Sequence, residues 1–346
     1  MKTGAIKTAL AGVAALIVGG VVPASMPAQA ASKAVAKTGC DEACLKGFMD
    51  GYLDALAAHD SKRLPVAAKV KFTENGVSIP LGEALWVTVS GLGKYRHYYY
   101  DPSTGGVAIH TAITENGTPA YLMVRLKVVG RKLTEIETVV NRSAANAATQ
   151  APYDPMWDEV ETKGKRLTRE ELIKATIGYL KVFAFKNGKL APFAESCIRL
   201  ENGNVMSLGP NDKPPFPFRP LARDDDWQAA LRTTMGMGCV DQVDTGVYSF
   251  ITEYDNARFD IVDVKRQVVF GVFNFRRRGN VMEVKMPNGR TYPMMPSATY
   301  PNEVLNTEGW KFRDGKITRI EAVFLAGKIY KTGTGWPGMK GEHRNN

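Results

Sequence analysis

The chain has 346 residues, of which 44% are hydrophobic and 23% are charged, as in ordinary folded proteins, and this excludes disordered and membrane-spanning classes. The length suffices for two domains with separate cores. The formal net charge is +10, but the basic residues are scattered and only residues 276–278 form an arginine run. The charge therefore gives no indication of a nucleic-acid partner.

The first 30 residues have the pattern of a secretory signal peptide. Lys2 and Lys7 precede an apolar stretch from Ala9 to Val22, and an Ala-Gln-Ala cleavage pattern ends at Ala30. No later segment has the roughly 18 uninterrupted apolar residues that cross a bilayer. We therefore expect a periplasmic or secreted protein without a membrane span, in which residues 31–40 form a linker.

Export permits disulfide bonds, and the chain has four cysteines. Cys197 with Cys239 would close a loop in the second half, and Cys40 with Cys44 would tie the entry to the first helix, although other pairings stay open. Residues four apart in a helix are too far apart at Cβ for a disulfide, so Cys40 should precede the helix. We expect no metal site, because the cysteines lack the paired spacing of zinc sites and histidines are few.

A segment of the first half recurs in the second half. Residues 52–82 align with residues 179–209 without a gap, and eleven of the 31 positions are identical. Each copy is typical of a helix end, a turn marked by proline and a strand that enters a hairpin at Glu-Asn-Gly. Asn-Gly favours the positive φ angles of a tight hairpin. The pattern predicts a tandem duplication.

The first module, residues 41–143, should begin with a helix from Asp41 to Ala58. Strands are predicted at residues 70–73, 79–89, 106–114, 121–128 and 133–140. In residues 121–128 the aliphatic residues alternate with Tyr121, Met123, Arg125 and Lys127. This alternation predicts an antiparallel sheet with one buried face.

Residues 144–167 have the composition of a linker, and its residues Met156 and Trp157 could dock on one of the modules. The second module, residues 168–336, should open with a capping box of Thr168 and Glu171. An insertion at about 210–258 interrupts its repeat. We expect this insertion to contain a short helix at residues 225–234 and to cover an opening or an interface, and residues 337–346 to form a C-terminal tail.

Several of these pieces resemble one superfamily. The first helix, the turn after residues 55–60 (Ala-Leu-Ala-Ala-His-Asp) and the sheet ending at residues 315–321 (Gly-Lys-Ile-Thr-Arg-Ile-Glu) resemble the nuclear-transport-factor-2-like, SnoaL-like and ketosteroid-isomerase-like proteins. Residues 72–76 (Phe-Thr-Glu-Asn-Gly) and 82–86 (Gly-Glu-Ala-Leu-Trp) are similar to secreted bacterial and fungal proteins of uncharacterised function. The resemblance covers residues 41–140 and 169–331. It implies an α+β fold of two tandem cone-shaped modules, each with N-terminal helices packed on a curved antiparallel sheet around an apolar pocket.

Enzymes of this shape generally place a carboxylate or histidine in an apolar cavity, where burial tunes its pKa. The candidate catalytic residues are His97 as general acid or base, Asp101 as the group that orients it, and His110. An inward-facing tyrosine among residues 98–100 would bind a developing oxyanion. The structural alternative stays open, because Asp101 precedes Pro102 in a turn pattern and Asp263 occupies the same place in the second module.

The candidate ligand-binding residues also have structural alternatives. For Glu137 the favoured interpretation is a salt bridge with Arg125 across the sheet, and the aromatic residues are pocket walls or, as the favoured interpretation, core. Val272 replaces His110 in the second module, so only the first module would be active. The full set of ligand-binding candidates is Trp86, Tyr98, Tyr99, Arg125, Glu137, Asp263, Tyr292 and Trp310.

The sequence has no phosphate loop, no GxGxxG turn and no HExxH or GxSxG motif, so we expect no cofactor. The leading hypothesis is an exported protein that binds a small apolar or polyol-like molecule, with cofactor-independent lyase, isomerase or hydratase activity. The rival hypothesis is a non-catalytic protein for ligand carriage or envelope interaction. Homo-oligomerisation and intramolecular pairing of the modules both stay open.

Overall fold

A computed structural model describes residues 39–143, 147, 152–209 and 227–343. The predicted signal peptide, residues 1–30, lies outside the described residues. Within the described residues, no helix is both long and apolar enough to cross a membrane.

The first module consists of one long helix and a six-stranded sheet. Its strands lie in the order β2-β1-β6-β5-β4-β3. Its elements are α1 (Glu42–Ala57), β1 (Val66–Glu74), β2 (Val77–Ser78), α2 (Leu85–Thr88), β3 (Val89–Asp101), β4 (Gly106–Glu115), β5 (Thr118–Val129) and β6 (Lys132–Asn141).

The second module has the same plan. Its sheet has the order β8-β7-β14-β13-β10-β9, which repeats the first order strand for strand, while β11 and β12 form a small separate sheet. Its elements are α3 (Arg169–Phe185), β7 (Phe193–Glu201), β8 (Asn204–Ser207), α4 (Trp227–Arg232), α5 (Cys239–Asp244), β9 (Glu253–Asp263), β10 (Val268–Arg277), β11 (Glu283–Lys285), β12 (Thr291–Pro293), β13 (Asn302–Arg313) and β14 (Lys316–Ile329).

The sequence repeat marks equivalent structure. The spacing of the repeat maps β1 directly onto β7, and the hairpins that follow have positive φ at Asn75 (53°) and Gly76 (81°) and at Asn202 (46°) and Gly203 (72°). The capping box that opens α3 also forms. The prediction of two similar α+β modules is therefore confirmed.

Each sheet contains one parallel pair, which differs from the antiparallel sheet that we expected. Strand β1 pairs with β6 in parallel, and β7 pairs with β14 in parallel. Strands joined by hairpins must run antiparallel, whereas β1 and β6 are joined through the whole module and are free of that restriction. The remaining neighbours in both sheets are antiparallel.

The strand predicted at residues 79–89 is wrong. Residues 85–88 form α2, because Gly82 (φ 103°) and Ala84 (φ 53°) turn the chain away from an extended path. The Glu74 carboxylate accepts a hydrogen bond from the Leu85 amide at 3.1 Å and so caps this short helix. Trp86 is buried and packs edge-on against Tyr52.

Three apolar cores lie within the described part of the chain. One lies between α1 and the first sheet, and a second lies between α3 and the second sheet. The third lies between the two sheets and contains Tyr99, Met123, Phe270 and Leu305. Both faces of β5 are therefore buried, including Arg125, which corrects the expectation of one buried face and follows from the second sheet covering the first.

Two disulfides fix the ends of helices. Cys40 joins Cys44 and, as expected, lies just before α1, whose N-cap is Asp41. Cys197 on β7 joins Cys239 at the start of α5, so the insertion is fastened to the second sheet. The insertion contributes α4, at the predicted position, and completes the second core. A second insertion between β10 and β13, which carries β11 and β12, was not predicted.

The C-terminal segment after β14 returns to both modules. His343 and Met339 bridge to β9 of the second module. The Trp336 indole N–H donates to Thr73 on β1 at 2.8 Å, and Lys71 donates to the Gly335 carbonyl. A Cβ on Gly338 would overlap the Asn256 backbone, so the close approach to β9 requires glycine there.

The two disulfides should differ in their contribution to stability. Replacing Cys197 and Cys239 with alanine should lower the free energy of unfolding by about 4 kcal/mol, because this bridge spans 42 residues. Replacing Cys40 and Cys44, which are 4 residues apart, should cost about 2 kcal/mol. Urea unfolding of both variants measures the difference, and an equal loss in the two would contradict the prediction.

Candidate functional site

Two of the three predicted catalytic residues meet between the sheets. His97 on β3 lies directly opposite His110 on β4, and their side chains are 1% and 0% exposed. Tyr99 lies beside both, with its hydroxyl oxygen 3.0 Å from Nδ1 of His97 and 3.1 Å from Nδ1 of His110. The two imidazoles and the phenol therefore form one polar cluster in an apolar layer.

Glu321 on β14 supplies the carboxylate of this cluster. Its Oε2 lies 2.8 Å from Nδ1 of His97 and accepts a hydrogen bond from the Tyr95 hydroxyl at 2.8 Å. Its Oε1 lies 3.6 Å from Nδ1 of His110. Burial alone would raise the pKa of Glu321, but the neighbouring His97 outweighs it and holds that pKa well below its usual range.

The pKa of His110 shifts downward. Burial disfavours the imidazolium more than Glu321 favours it, so the pKa of His110 lies below its ordinary value. His110 is therefore a neutral imidazole at neutral pH, with one nitrogen available as a donor and the other as an acceptor.

Asp101 does not orient His97, in contrast to the prediction. Its carboxylate accepts hydrogen bonds from Arg169 at 2.8 Å, from the Val262 amide at 3.1 Å and from the Ser103 hydroxyl at 2.5 Å. Asp263, its counterpart, accepts from the Arg266 amide and guanidinium. Both aspartates organise turns, which is the structural alternative.

The three consecutive tyrosines divide between the faces of β3. Tyr99 points into the layer between the sheets, whereas Tyr98 and Tyr100 stack on the other face with ring centroids 5.8 Å apart. The Tyr98 hydroxyl donates to Asp50 on α1 at 2.5 Å. Tyr98 therefore belongs to the helix contact and only Tyr99 can act with the histidines.

The histidine cluster has little free space. The Trp157 ring lies 4.4 Å from that of His97 and the Phe270 ring lies 5.5 Å from that of His110, between centroids. Trp157 thus docks on the first module, as the sequence suggested. The cavity beside His97 has a volume of about 10 Å³, which is room for one water molecule. The arrangement can hold a proton, a water molecule or an ion.

A carboxylate at the equivalent place in the first sheet has different partners. Glu137 accepts from Arg125 at 2.7 Å, as expected, and from Arg258 of the second sheet at 2.7 Å. In the first sheet Arg125 lies opposite Glu137 on the neighbouring strand. At the equivalent place in the second sheet, Gly309 lies opposite Glu321. A Cβ on Gly309 would overlap the Tyr99 ring, so the missing side chain makes room for the phenol.

The other ligand-binding candidates lie in two places. Trp86, Tyr292 and Trp310 are buried within the module cores, so they are not exposed pocket walls. Arg125 lines a cleft of about 270 Å³ between the modules. The residues around this cleft are Thr104, Gly106, Arg125, Lys127, Glu135, Arg169, Phe259, Asp260 and Ile261.

Sequence reasoning missed Glu321 as a site residue, and it missed Glu308. Glu308 on β13 is buried in the core of the second module, where it accepts a hydrogen bond from Tyr179 at 2.7 Å and its Oε2 has none within the described residues. Burial raises the pKa of Glu308 to about 8. One signal in the sequence could have found Glu308. Residues two apart on a strand face the same side, so Glu308 shares the core-facing side of its strand with Trp310.

Glu308 should make stability depend on pH. The pKa of Glu308 is about 8 in the folded state and 4.5 in the unfolded state. Between these two pH values the folded state holds one more proton than the unfolded state, so the free energy of unfolding falls as the pH rises from 4.5 to about 8. Relative to Glu308→Gln, the wild type should lose on the order of 4 kcal/mol between pH 5 and pH 8. Urea unfolding at both pH values tests this, and parallel pH profiles would contradict it.

One family model matches the chain, over residues 40–140 and 165–324, and it describes a domain of unknown function named DUF8021. The two matched regions coincide with the two modules. No curated protein matches the chain. Because the match covers most of the sequence, the chain belongs to the DUF8021 family.

Proposed function

We propose that this protein is exported and binds a small, hydroxyl-rich, negatively charged molecule in the cleft between its two modules. The observation that carries the proposal is the charged lining of this cleft, to which Arg125, Lys127 and Arg169 contribute three cationic side chains. Arg125 is 2% exposed, so its guanidinium group is held in the wall of the cleft and not in bulk solvent.

The other groups of the cleft fit such a ligand. Arg125, Lys127 and Arg169 outnumber Glu135 and Asp260, so the lining favours an anion. The carboxylates accept hydrogen bonds from hydroxyl groups, and Phe259 offers an apolar surface for a ring. A volume of about 270 Å³ suits a molecule the size of one sugar. These features favour a polyol-like ligand over an apolar one.

The cleft is partly ordered by its own ion pairs. Arg125 donates through Nη1 to Glu135 at 2.7 Å, and Asp260 accepts a hydrogen bond from Nη1 of Arg258 at 2.5 Å. Arg169 is anchored on Asp101 at 2.8 Å. The cationic groups are thus held in place before a ligand arrives, which reduces the entropic cost of binding.

Export and the cone shape belong to the same proposal. Export is supported by the two disulfides, which persist in oxidising compartments, and by the signal pattern of the sequence. A cone-shaped, nuclear-transport-factor-2-like module is supported by the long helix that packs on each six-stranded sheet. Catalysis by His97 and His110 stays a prediction, and the cavity of about 10 Å³ beside His97 does not favour a substrate there.

Glucuronate is a suitable probe of the cleft, because it combines hydroxyl groups, a ring and one carboxylate. We expect Lys127→Met to weaken its binding about 10-fold, since a hydrogen bond to a charged group contributes roughly 1.5 kcal/mol or more. Isothermal titration calorimetry of the mature chain measures the two dissociation constants. Lys127 is only partly buried, so the substitution should leave the fold intact.

Lys132→Met is the matched control, since Lys132 is exposed at the start of the next strand and does not line the cleft. It removes the same charge and should bind glucuronate like the wild type. Equal weakening in both variants would indicate a general charge effect and refute a specific site. Absence of binding by glucuronate, gluconate and inositol phosphate alike would refute the anionic ligand class.

A further inference from the structure

Four donor atoms from both modules converge between the sheets. They are Nδ1 of His97, Nδ1 of His110, the carboxylate of Glu321 and the hydroxyl oxygen of Tyr99. Ligand atoms of the two histidines and the glutamate all lie within 4.8 Å of one another. We propose that this cluster binds one divalent transition-metal ion of the zinc type, which links the two modules.

The separations between these atoms suit a tetrahedral ion. Nδ1 of His97 lies 2.8 Å from Oε2 of Glu321 and 3.0 Å from the Tyr99 hydroxyl oxygen. Nδ1 of His110 lies 3.1 Å from the same hydroxyl oxygen and 3.6 Å from Oε1 of Glu321. Donors about 2.0–2.1 Å from a tetrahedral zinc ion are about 3.3 Å from one another. The separations between neighbouring donors in the cluster lie on both sides of this value, so the ion would draw some donors together and move others apart.

The hydrogen bonds of His110 leave the required nitrogen free to coordinate. The Thr307 hydroxyl donates its proton to the Val323 carbonyl at 2.5 Å, so its oxygen accepts from Nε2–H of His110 at 3.2 Å. Nδ1 of His110 therefore carries the lone pair, and it faces Tyr99 and Glu321. A histidine ligand whose other ring nitrogen is fixed by a hydrogen bond is the usual arrangement in metal sites.

Glu321 provides a second observation. Its Oε1 is buried and has no hydrogen-bond partner within the described residues, while Oε2 accepts from the Tyr95 hydroxyl and lies 2.8 Å from Nδ1 of His97. A metal ion at the cluster would satisfy Oε1. Coordination would also displace a proton from Tyr99, and the resulting phenolate and carboxylate together would neutralise a divalent ion.

The types of donor atom in the cluster indicate which metal ion it would bind and what role the ion would have. Imidazole with oxygen donors suits zinc, cobalt and nickel better than magnesium or calcium, which prefer oxygen alone. Four protein ligands close the coordination sphere, which is typical of a structural site. His97, Tyr99 and His110 come from the first module and Glu321 from the second, so the ion would hold the sheets together. This inference does not depend on ligand binding in the cleft.

The test uses the mature chain, stripped with a chelator and re-equilibrated with Zn²⁺ or Co²⁺. We expect one ion per chain by mass spectrometry of the metal content, a higher melting temperature with Zn²⁺, and visible Co²⁺ absorption of the intensity typical of tetrahedral sites. Glu321→Gln keeps the side-chain shape but removes the anionic ligand, and should bind Zn²⁺ at least 100-fold more weakly. Tyr99→Phe should alter the Co²⁺ spectrum.

Glu308→Gln is the matched control, because it makes the same change at a buried glutamate of the same sheet that is not a ligand. It should bind one ion with the affinity of the wild type. Circular dichroism of the metal-free variants shows whether each is folded. A wild type that binds no Zn²⁺ or Co²⁺, or a folded Glu321→Gln that binds as tightly as the wild type, would overturn the proposal.

Discussion

The structure depends on one buried layer that the two sheets share. A charged side chain in this layer cannot reach water, so its burial is tolerated only when it is paired and hydrogen-bonded. Glu137 of the first sheet meets Arg258 of the second, and Glu321 of the second meets His97 of the first. Each carboxylate thus takes a partner from the opposite module. Separation of the modules would leave both carboxylates without these partners, so the same contacts that satisfy the charges also fix the relative orientation of the sheets.

The duplicated halves have diverged at this layer more than in their topology. His97 lies opposite His110 on the neighbouring strand, and Arg258 lies opposite Val272, so histidine and arginine occupy corresponding positions. Around Glu137 of the first sheet, Arg125 of the same sheet and Arg258 of the second sheet make an ionic cluster. In the second sheet Gly309 leaves space that Tyr99 fills, and Glu321 is surrounded by imidazole and phenol groups instead. Gly309, at the position equivalent to Arg125, is therefore one of the differences that give the two equivalent glutamates different surroundings.

The sequence predicted what depends on local rules. The repeat and the Asn-Gly hairpins are visible in short stretches of sequence, and they indicated the two modules correctly. The strand predicted at residues 79–89 was wrong because Gly82 and Ala84 adopt positive φ. The partner of His97 could not be predicted, because Glu321 lies 224 residues away and reaches it only through sheet stacking. Asp101, close in sequence, was chosen instead. The repeat placed Glu321 beside Glu137 in alignment but gave no indication that the modules pack face to face.

The C-terminal segment has a consequence for the order in which the protein is completed. Trp336 and Gly335 contact Thr73 and Lys71 on β1, a strand that leaves the ribosome more than 250 residues earlier. Domains usually fold one after another as a chain is synthesised. Here the contacts of Lys71 and Thr73 with the C-terminal segment can form only after residues 335 and 336 have been synthesised. The first module therefore completes its contacts on β1 only after the strands of the second module have been made.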